Sequence, residues 1–243
     1  MNFVENAQTI HLKTPGTLAE YISKEDKMSI TSLKITGFIN HKDFDDVLDD
    51  MCSTNGWFDD NDDYHPNYDE SPKLRILDLG DCIYTDQGYW PEFGYEPLVT
   101  TLIMPKCVKE FYHWCEIPFQ NLEKLVLPEG IKNINCIASD SLISEIHLPN
   151  SVEKIEFMAF YGCQKLKELT IPKNVKEINS EAFLYSNITK ILFEPTEPPK
   201  IVDLYGRSHL EDIFKELQLF VPHESIIKYQ NAPFWNEAQI IGI

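Results

Sequence analysis

The feature that most constrains this chain is a repeat whose units each end at a proline. Prolines stand at positions 105, 128, 149, 172 and 195, at steps of 23, 21, 23 and 23 residues. Each of the first four closes an apolar run of the form L-x-x-L-x-L, and a fifth run comes just before Pro195. The runs are Val99-Leu102-Met104, Leu122-Leu125-Leu127, Ile143-Ile146-Leu148, Leu166-Leu169-Ile171 and Ile188-Ile191-Phe193. A fixed period of this length indicates stacked coils of chain.

Other apolar positions keep the same spacing after each of the first four prolines. Three residues on come Val108, Ile131, Val152 and Val175, and three further on come Phe111, Ile134, Ile155 and Ile178. Four beyond those come Cys115, Ala138, Ala159 and Ala182. Because the last column keeps small residues, it predicts a tight position in the core. Cys115 is accordingly interpreted as a buried small side chain.

The L-x-L part of each run alternates with a period of two, which predicts a short strand with one face turned inward. Proline cannot donate to a strand ladder, so it ends the strand and turns the chain. One coil cannot bury its own apolar face, whereas stacked coils can, and their strands then form a continuous ladder. The pattern predicts a solenoid with short parallel strands on one face and irregular or short helical turns on the other.

Two segments carry a resemblance to a known family. Residues 166–188, LKELTIPKNVKEINSEAFLYSNI, and 143–166, ISEIHLPNSVEKIEFMAFYGCQKL, resemble BspA-type leucine-rich repeats of bacterial surface proteins. The family pattern is L-x-x-L-x-L-P-x-x-V-x-x-I-x-x-x-A-F-x-x-C, and Cys163 matches its core cysteine. The resemblance covers about 98–195 and weakens in the 122–142 coil, which is two residues short and lacks the Ala-Phe pair. It implies a β-rich α/β leucine-rich-repeat solenoid.

The ends of the chain resemble the caps of that family. Gly16-Thr17-Leu18 and Leu33 to Gly37 look like its N-terminal cap, and Leu219 to Pro222 with Trp235 look like its C-terminal cap. One continuous domain is therefore expected. Residues 1–73 would form an N-terminal cap with two short helices and an acidic insertion, residues 74–195 the repeats, and residues 196–243 a C-terminal cap.

Local patterns predict helices in both caps. Thr17 and Glu20 are spaced as a capping box before Leu18, Tyr21 and Ile22. A helix near 41–51 is indicated by four apolar residues at helical spacing, while Glu224 to Tyr229 predicts a short helix that ends before Pro233. The four apolar residues are Phe44, Val47, Leu48 and Met51.

Charge limits the classes of partner. The chain has 21 basic and 39 acidic residues and a net charge of −18. This acidity argues against general nucleic-acid binding and against docking on anionic membranes. No apolar run approaches the roughly 20 residues of a membrane-spanning helix, so membrane insertion is not expected.

The first candidate binding surface is the outward side of the strands, where the middle residue of each L-x-L run points away from the core. Its later members form a mildly apolar stripe beside charged neighbours, and repeat proteins use such extended surfaces for binding. The alternative is plain strand propensity, since Ile, Val and Thr favour strands in any case. The candidate residues are Ile103, Val126, His147, Thr170 and Leu192, preceded along the ladder by Lys34 and Asp78.

The second candidate is an aromatic loop between the LRILDL segment and the first regular proline. Aromatic rings on a Gly/Pro-rich loop can form a platform for a partner or a glycan. The alternative is that they pack onto the first coils. The residues are Tyr84, Tyr89, Trp90, Phe93 and Tyr95.

A third candidate is a calcium loop in the acidic insertion. Asp59, Asn61, Asp63 and Glu70 stand at positions 1, 3, 5 and 12 of a calcium-loop register, with His65 and Asn67 at positions 7 and 9. Tyr64 replaces the glycine of the sharp turn and Pro66 stiffens the loop. The alternative is a solvated acidic insertion whose aromatic side chains pack on the cap. No other cofactor is expected.

Catalysis has little support in the sequence, so an enzyme is not expected. It has no G-x-S-x-G motif, no phosphate-binding glycine loop and no C-x-x-C pair, and only 10 of its 243 residues are glycine. His113 lies two residues before Cys115, but that spacing alone does not make an oriented Cys–His–acid array.

The expected function is noncovalent recognition of a protein or a glycosylated surface, with the oligomeric state open. The family resemblance implies an extracellular or cell-surface setting. The first ten residues, MNFVENAQTI, have no signal-peptide pattern, so that setting requires a signal outside this sequence. The alternatives are a cytoplasmic leucine-rich-repeat scaffold and a calcium-dependent binding module.

Overall fold

The computed structural model describes residues 6–54, 56–58, 64–67, 71–86, 98–109, 120–202 and 217–243. Nearly all of their buried apolar side chains belong to one core cluster that extends from Ile10 to Trp235. None of the helices in these residues is long and apolar enough to cross a membrane.

The strands are short and follow one another along the whole described chain. In chain order they are β1 (Ala7–Leu12), β2 (Ser32–Ile39), β3 (Gly56–Phe58), β4 (Tyr64–Pro66), β5 (Ile76–Tyr84), β6 (Thr101–Ile103), β7 (Lys124–Val126), β8 (Asn133–Ile134), β9 (Lys154–Ile155), β10 (Glu168–Ile171), β11 (Glu177–Asn179), β12 (Lys190–Phe193), β13 (Lys200–Val202), β14 (Gln218–Val221) and β15 (Gln239–Gly242).

Four of the five L-x-L runs form strands, and these strands belong to two parallel sheets. The first has the order β1-β2-β5-β6-β7 and the second has the order β10-β12-β14-β15. Parallel pairing of successive coils is what the repeat predicts, because each strand lies one coil further along the stack. Together these strands make the L-x-L face. The family expectation of an α/β leucine-rich-repeat fold with parallel strands is confirmed at this level.

A third parallel sheet was not predicted. It has the order β8-β9-β11-β13 and forms where the chain passes the V-x-x-I positions, so we call it the V-x-x-I face. The sequence predicted irregular or short helical turns there, and that expectation is wrong for these four coils. Each coil contributes only two or three residues, and two apolar residues spaced by three show no strand alternation.

The expectation of a continuous ladder on the L-x-L face is also wrong. The first sheet ends at β7 and the second begins at β10, because residues 145–148 of the intervening coil are not in a strand. The V-x-x-I face stays paired across the same coils, through Asn133 beside Lys154 and Ile134 beside Ile155. These neighbouring coils are therefore paired by backbone hydrogen bonds on the V-x-x-I face and unpaired on the L-x-L face.

The columns read from the sequence are buried. Ala138, Ala159 and Ala182 are fully inaccessible to solvent, as the tight-position prediction requires. Phe160 and Phe183 stack with ring centroids 6.1 Å apart and planes at 11°. The Val and Ile columns are buried as well, while Phe111 and Cys115 lie outside the described residues.

The predicted capping box at Thr17 and Glu20 is wrong. The Thr17 hydroxyl donates to the Thr14 carbonyl at 2.7 Å, and only a 3₁₀ turn, Leu18–Glu20, follows. The chain instead caps its next helix, α1 (Lys24–Ser29), where Ser23 and Asp26 form the reciprocal pair. Leu18 and Ile22 are buried, but Tyr21 is half exposed and does not share their face.

The helix predicted near 41–51 is present with a local irregularity. It comprises α2 (His41–Asp43), a π-helical turn (Phe44–Leu48) and α3 (Asp49–Cys52). The four predicted apolar residues are at most 1% exposed. Asp43 accepts hydrogen bonds from the backbone nitrogens of Gly16 and Leu18 at 2.8 and 2.9 Å, which fixes the preceding loop to this helix.

The closing segment packs on the last L-x-L run. A 3₁₀ turn (His223–Ser225) leads into α4 (Ile226–Asn231), in agreement with the predicted short helix, and a further 3₁₀ turn (Trp235–Glu237) precedes β15. Tyr229 donates to the Pro195 carbonyl at 3.0 Å, and the Trp235 indole donates to the Pro199 carbonyl at 2.7 Å.

Candidate functional site

The outward side chains of the L-x-L face lie in register. Lys34 pairs with Asp78, Asp78 with Ile103, and Ile103 with Val126 in the first sheet. Thr170 pairs with Leu192 in the second sheet. All of these, together with His147 between the sheets, are exposed or half-buried, as the alternation predicts. The structure thus places the predicted row of side chains on one face.

Two outward residues of this face were missed by the sequence reasoning. Phe220 pairs with Leu192, and Ile241 pairs with Phe220, so the row continues into the closing segment. A signal was present, since Leu219-Phe220-Val221-Pro222 repeats the alternation and the proline of the earlier runs. The ammonium of Lys190 lies 4.9 Å above the centroid of the Phe220 ring.

The row differs in character along its length. At its start, Lys34 contacts Asp81 at 2.8 Å and Asp78 at 3.3 Å, and Lys106 contacts Asp81 at 3.1 Å. The hydrogen bond from Lys34, followed by that from Lys106, lowers the pKa of Asp81, and Asp81 in turn raises the pKa of Lys34. The charged side chains at the start of the row therefore form ion pairs with one another. The apolar part of the row begins at Ile103.

A groove of about 620 Å³ opens on the L-x-L face at the break between its two sheets. Its walls are residues 123–127, which contain β7, and residues 144–148 of the next coil. Three of the five predicted strand-face residues, Val126, His147 and Thr170, line it. The remaining lining residues are Asn150, Pro172 and Glu194.

The opening lies at the coil that is two residues short. From the L-x-L centre to the V-x-x-I position the coil takes nine residues from Leu125 to Ile134, and the coils that begin at Leu102, Ile146 and Leu169 take the same number. The return from Ile134 to Ile146 takes 12 residues, whereas the next return, from Ile155 to Leu169, takes 14. The V-x-x-I face is paired at these coils, and the shorter return coincides with the missing strand at Ile146. Ile146 is accordingly only partly buried, unlike Leu125 and Leu169 at 5% and 2% exposure.

The V-x-x-I face is held by ion pairs across successive coils. Glu153 contacts Lys132 at 2.6 Å and Lys176 at 2.7 Å, and Lys154 contacts Glu177 at 2.8 Å. Hydrogen bonds from Lys132 and then Lys176 lower the pKa of Glu153 to about 2. These charged side chains of the V-x-x-I face therefore form ion pairs with one another. Glu145, which lines the groove, has no ion-pair partner among the described residues.

Of the aromatic loop, only Tyr84 lies within the described residues; Tyr89, Trp90, Phe93 and Tyr95 lie outside them. Tyr84 is half-buried, packs edge-on against Phe44 with ring centroids 6.4 Å apart, and bonds through its hydroxyl to the His41 imidazole. Burial raises the pKa of the Tyr84 phenol above its usual range. The Tyr84 ring is therefore packed against the protein and is not displayed as part of a binding platform.

The proposed calcium ligands Asp59, Asn61, Asp63 and Glu70 lie outside the described residues. The flanking segments β3 and β4 pair antiparallel as a hairpin. Within the residues that the structure describes, no group of three or more His, Cys, Asp or Glu side chains could hold a metal ion.

Most of the described cysteines are buried, whereas Cys107 is exposed. Cys163 is fully buried and its thiol contacts the Ala138 carbonyl at 2.9 Å. Burial raises the pKa of Cys163 to about 11 and that of Cys82 to about 12. Since the thiolate is the nucleophilic form, these two residues are poor nucleophiles at neutral pH.

A comparison with protein families identifies the repeats. The model described as the BspA type leucine rich repeat region (6 copies) matches residues 135–204. Residues 135–204 are thus similar to BspA-type leucine-rich repeats. The resemblance drawn from the sequence is thereby confirmed for the BspA-type repeats that contain β9 to β13.

The other comparisons add little to this. No curated protein matches the chain. Among solved structures, the chain is similar to one described as the crystal structure of the pneumococcal vaccine antigen PcpA, with 19% sequence identity and a TM-score of 0.38. That alignment covers 97% of this chain and 68% of the other.

Proposed function

We propose that this protein is a non-enzymatic interaction module that binds a protein or a glycosylated surface through its L-x-L face. Leucine-rich repeats build extended surfaces of in-register side chains, which suit contact with another macromolecule. The net charge of −18 favours a neutral or cationic partner over nucleic acid. The coils form one solenoid, closed by caps over residues 1–73 and 196–243 around repeats at 74–195.

One observation carries the proposal. The second L-x-L sheet presents Thr170, Leu192, Phe220 and Ile241 as a row of side chains that are not buried, three of them apolar. Beside the row, Lys190 contacts Glu168 at 3.1 Å. An apolar centre flanked by polar groups resembles the anatomy of protein interfaces.

The absence of enzymatic activity is part of the proposal. Two observations on the described residues support it. Cys82 and Cys163 are buried thiols with raised pKa values, and the exposed side chain of His147 makes no hydrogen bond within the described part of the chain. A nucleophile needs an adjacent base or a lowered pKa.

An extracytoplasmic setting is proposed from the resemblance to bacterial surface proteins. The alternative is a cytoplasmic scaffold that uses the same face. Protease shaving of intact source cells, followed by mass spectrometry, separates the two. Release of peptides from this protein is expected, and no release alongside abundant protein in the lysate would favour the scaffold.

Site-specific photo-crosslinking tests the binding face. A crosslinking amino acid at Leu192, on the row, should give adducts that excess unlabelled wild-type protein suppresses and that Phe220→Lys protein does not. The control position is Tyr185, which is 68% exposed but lies in a turn away from the L-x-L strands. Equal adducts from both positions, or equal suppression by both competitors, would contradict the proposal.

A further inference from the structure

We propose that the groove between β7 and residues 144–148 accepts an extended, cationic peptide segment of a partner protein as an added strand. The proposal rests on the proposed function and names the partner class and the place on the L-x-L face. An added strand gains affinity from main-chain hydrogen bonds and specificity from alternate side chains.

The main chain of β7 has an unused edge that faces the groove. Lys124 donates to the Thr100 carbonyl at 3.0 Å, and the Val126 carbonyl accepts from Met104 at 3.0 Å, so both residues direct their polar groups toward β6. In a strand, successive residues direct these groups to opposite sides. The N–H and C=O of Leu125 therefore point away from β6, into the groove.

The opposite wall is also unpaired. Among the described residues, no backbone–backbone hydrogen bond joins residues 142–148 to either neighbouring coil. Beyond them, the Lys167 carbonyl accepts from Thr189 and Lys190, and the Ile171 carbonyl accepts from Glu194, so these groups face β12. By alternation, Thr170 directs its backbone toward residues 144–148, and it also lines the groove.

The groove is large enough for a short strand. One residue of a packed strand occupies roughly 160 Å³, from a rise of about 3.3 Å, a strand spacing of about 4.8 Å and a sheet spacing of about 10 Å. A volume of about 620 Å³ thus holds about four residues, which is the length of β10 and β12. Longer peptides would extend beyond both ends.

The side chains around the groove specify the peptide. Its inner part is apolar, with Leu125 and Leu127 on one wall and Ile146 on the other. Its lining carries three acidic residues, Glu123, Glu145 and Glu194, and Lys124 is the one basic residue in the lining. A fitting strand alternates apolar residues that face inward with Lys or Arg that face the carboxylates.

The test is selection of random ten-residue phage-displayed peptides against the full-length protein, followed by affinity measurement. Enriched peptides should alternate apolar and basic residues. A synthetic copy of the best peptide with alternate backbone nitrogens methylated should bind at least tenfold more weakly, because it cannot complete the ladder. Peptide binding should also slow hydrogen exchange at the Leu125 amide.

Protein variants then locate the site. Glu145→Lys should weaken peptide binding about fivefold, while the matched control Glu224→Lys, also an exposed acid but distant in the chain, should change it less than twofold. Replacing residues 139–142 with the sequence FYGCQK of residues 160–165 restores the missing two residues. It should close the ladder and abolish peptide binding without altering any groove side chain.

Failure of this proposal is distinguishable from failure of the proposed function. No enriched peptide, or a peptide indifferent to N-methylation and to Glu145→Lys, would overturn strand addition. Crosslinking from Leu192 could still succeed, and the proposed function would then stand without it. Loss of specific crosslinking at Leu192, by contrast, would remove the proposed function itself.

Discussion

The coil of residues 122–142 and the coil that begins at Ile143 are hydrogen-bonded to each other on one face of the repeats but not on the other. On the V-x-x-I face, the backbone N–H of Glu156 donates to the Ile134 carbonyl at 2.7 Å, and the backbone N–H of Glu153 donates to the Lys132 carbonyl at 2.7 Å. On the L-x-L face, the same two coils share no ladder and a groove separates them. A coil two residues short keeps one face in register and opens the other. The groove therefore coincides with a change in coil length as well as in coil composition.

The largest expected difference is between the tight alanine column and the outward face. Ala159→Leu should lower the free energy of unfolding by about 1–3 kcal/mol or more, since Ala159 is fully buried and the added atoms overpack the core. Val126→Lys should change it by less than about 0.5 kcal/mol, because Val126 is 38% exposed on the open face. Urea denaturation measures both. Equal losses would show that the inside–outside register is wrong.

A smaller effect is expected where the short coil meets its neighbour. Gly162 has a φ of +67°, and a Cβ there would lie 1.9 Å from Oδ1 of Asp140 in the short coil. Gly162→Ala should destabilise the protein by about 1–2 kcal/mol from backbone strain alone. The Asp140→Gly background removes the clash but not the strain, so it should recover part of the loss. If Gly162→Ala costs the same unfolding free energy in the Asp140→Gly background, the contact between residue 162 and Asp140 is not tight.

The smallest effect concerns charge on the two faces and depends on pH. Ion pairs with Lys132 and Lys176 lower the pKa of Glu153 to about 2, below the usual 4.5. Because the folded-state pKa is depressed, the stabilisation is fully present above about pH 4.5 and is lost as the pH falls toward 2. Glu153→Gln should therefore lower the melting temperature slightly at pH 6, and the difference should vanish near pH 2.

The matched control for that charge effect is Glu145→Gln on the groove. Glu145 is exposed and has no ion-pair partner among the described residues, so its removal should leave the melting temperature unchanged across the same pH range. A pH-dependent loss at Glu145 equal to that at Glu153 would remove the electrostatic contrast between the faces.

Much of the fold was predictable because each coil repeats the same buried positions. The L-x-L strands, the alanine column and the apolar helix near 41–51 all follow from burial patterns visible in the sequence. The strands of the V-x-x-I face were not predictable, since pairs such as Val152 and Ile155 do not alternate and their strand character comes from stacking. The sequence also contains the alternation that continues the outward row to Phe220 and Ile241, but the resemblance to a C-terminal cap explains the same residues.

The groove shows why the candidate site was harder to predict than the fold. The step of 21 residues between Pro128 and Pro149 was plain in the sequence. A two-residue deletion can be absorbed by a turn or by a strand ladder, and local patterns do not distinguish these outcomes. Asn133 and Ile134 stay paired with the next coil, so the effect of the two missing residues falls on the L-x-L face.

Amide hydrogen exchange followed by NMR distinguishes a broken L-x-L ladder from a continuous one. The amides of Lys154 and Glu156, which donate to the Lys132 and Ile134 carbonyls at 3.1 and 2.7 Å, should be strongly protected. The amides of Ile146 and His147, in the same coil but on the open face, should exchange rapidly. Equal protection of the two pairs would mean that the L-x-L ladder is continuous and would contradict the account.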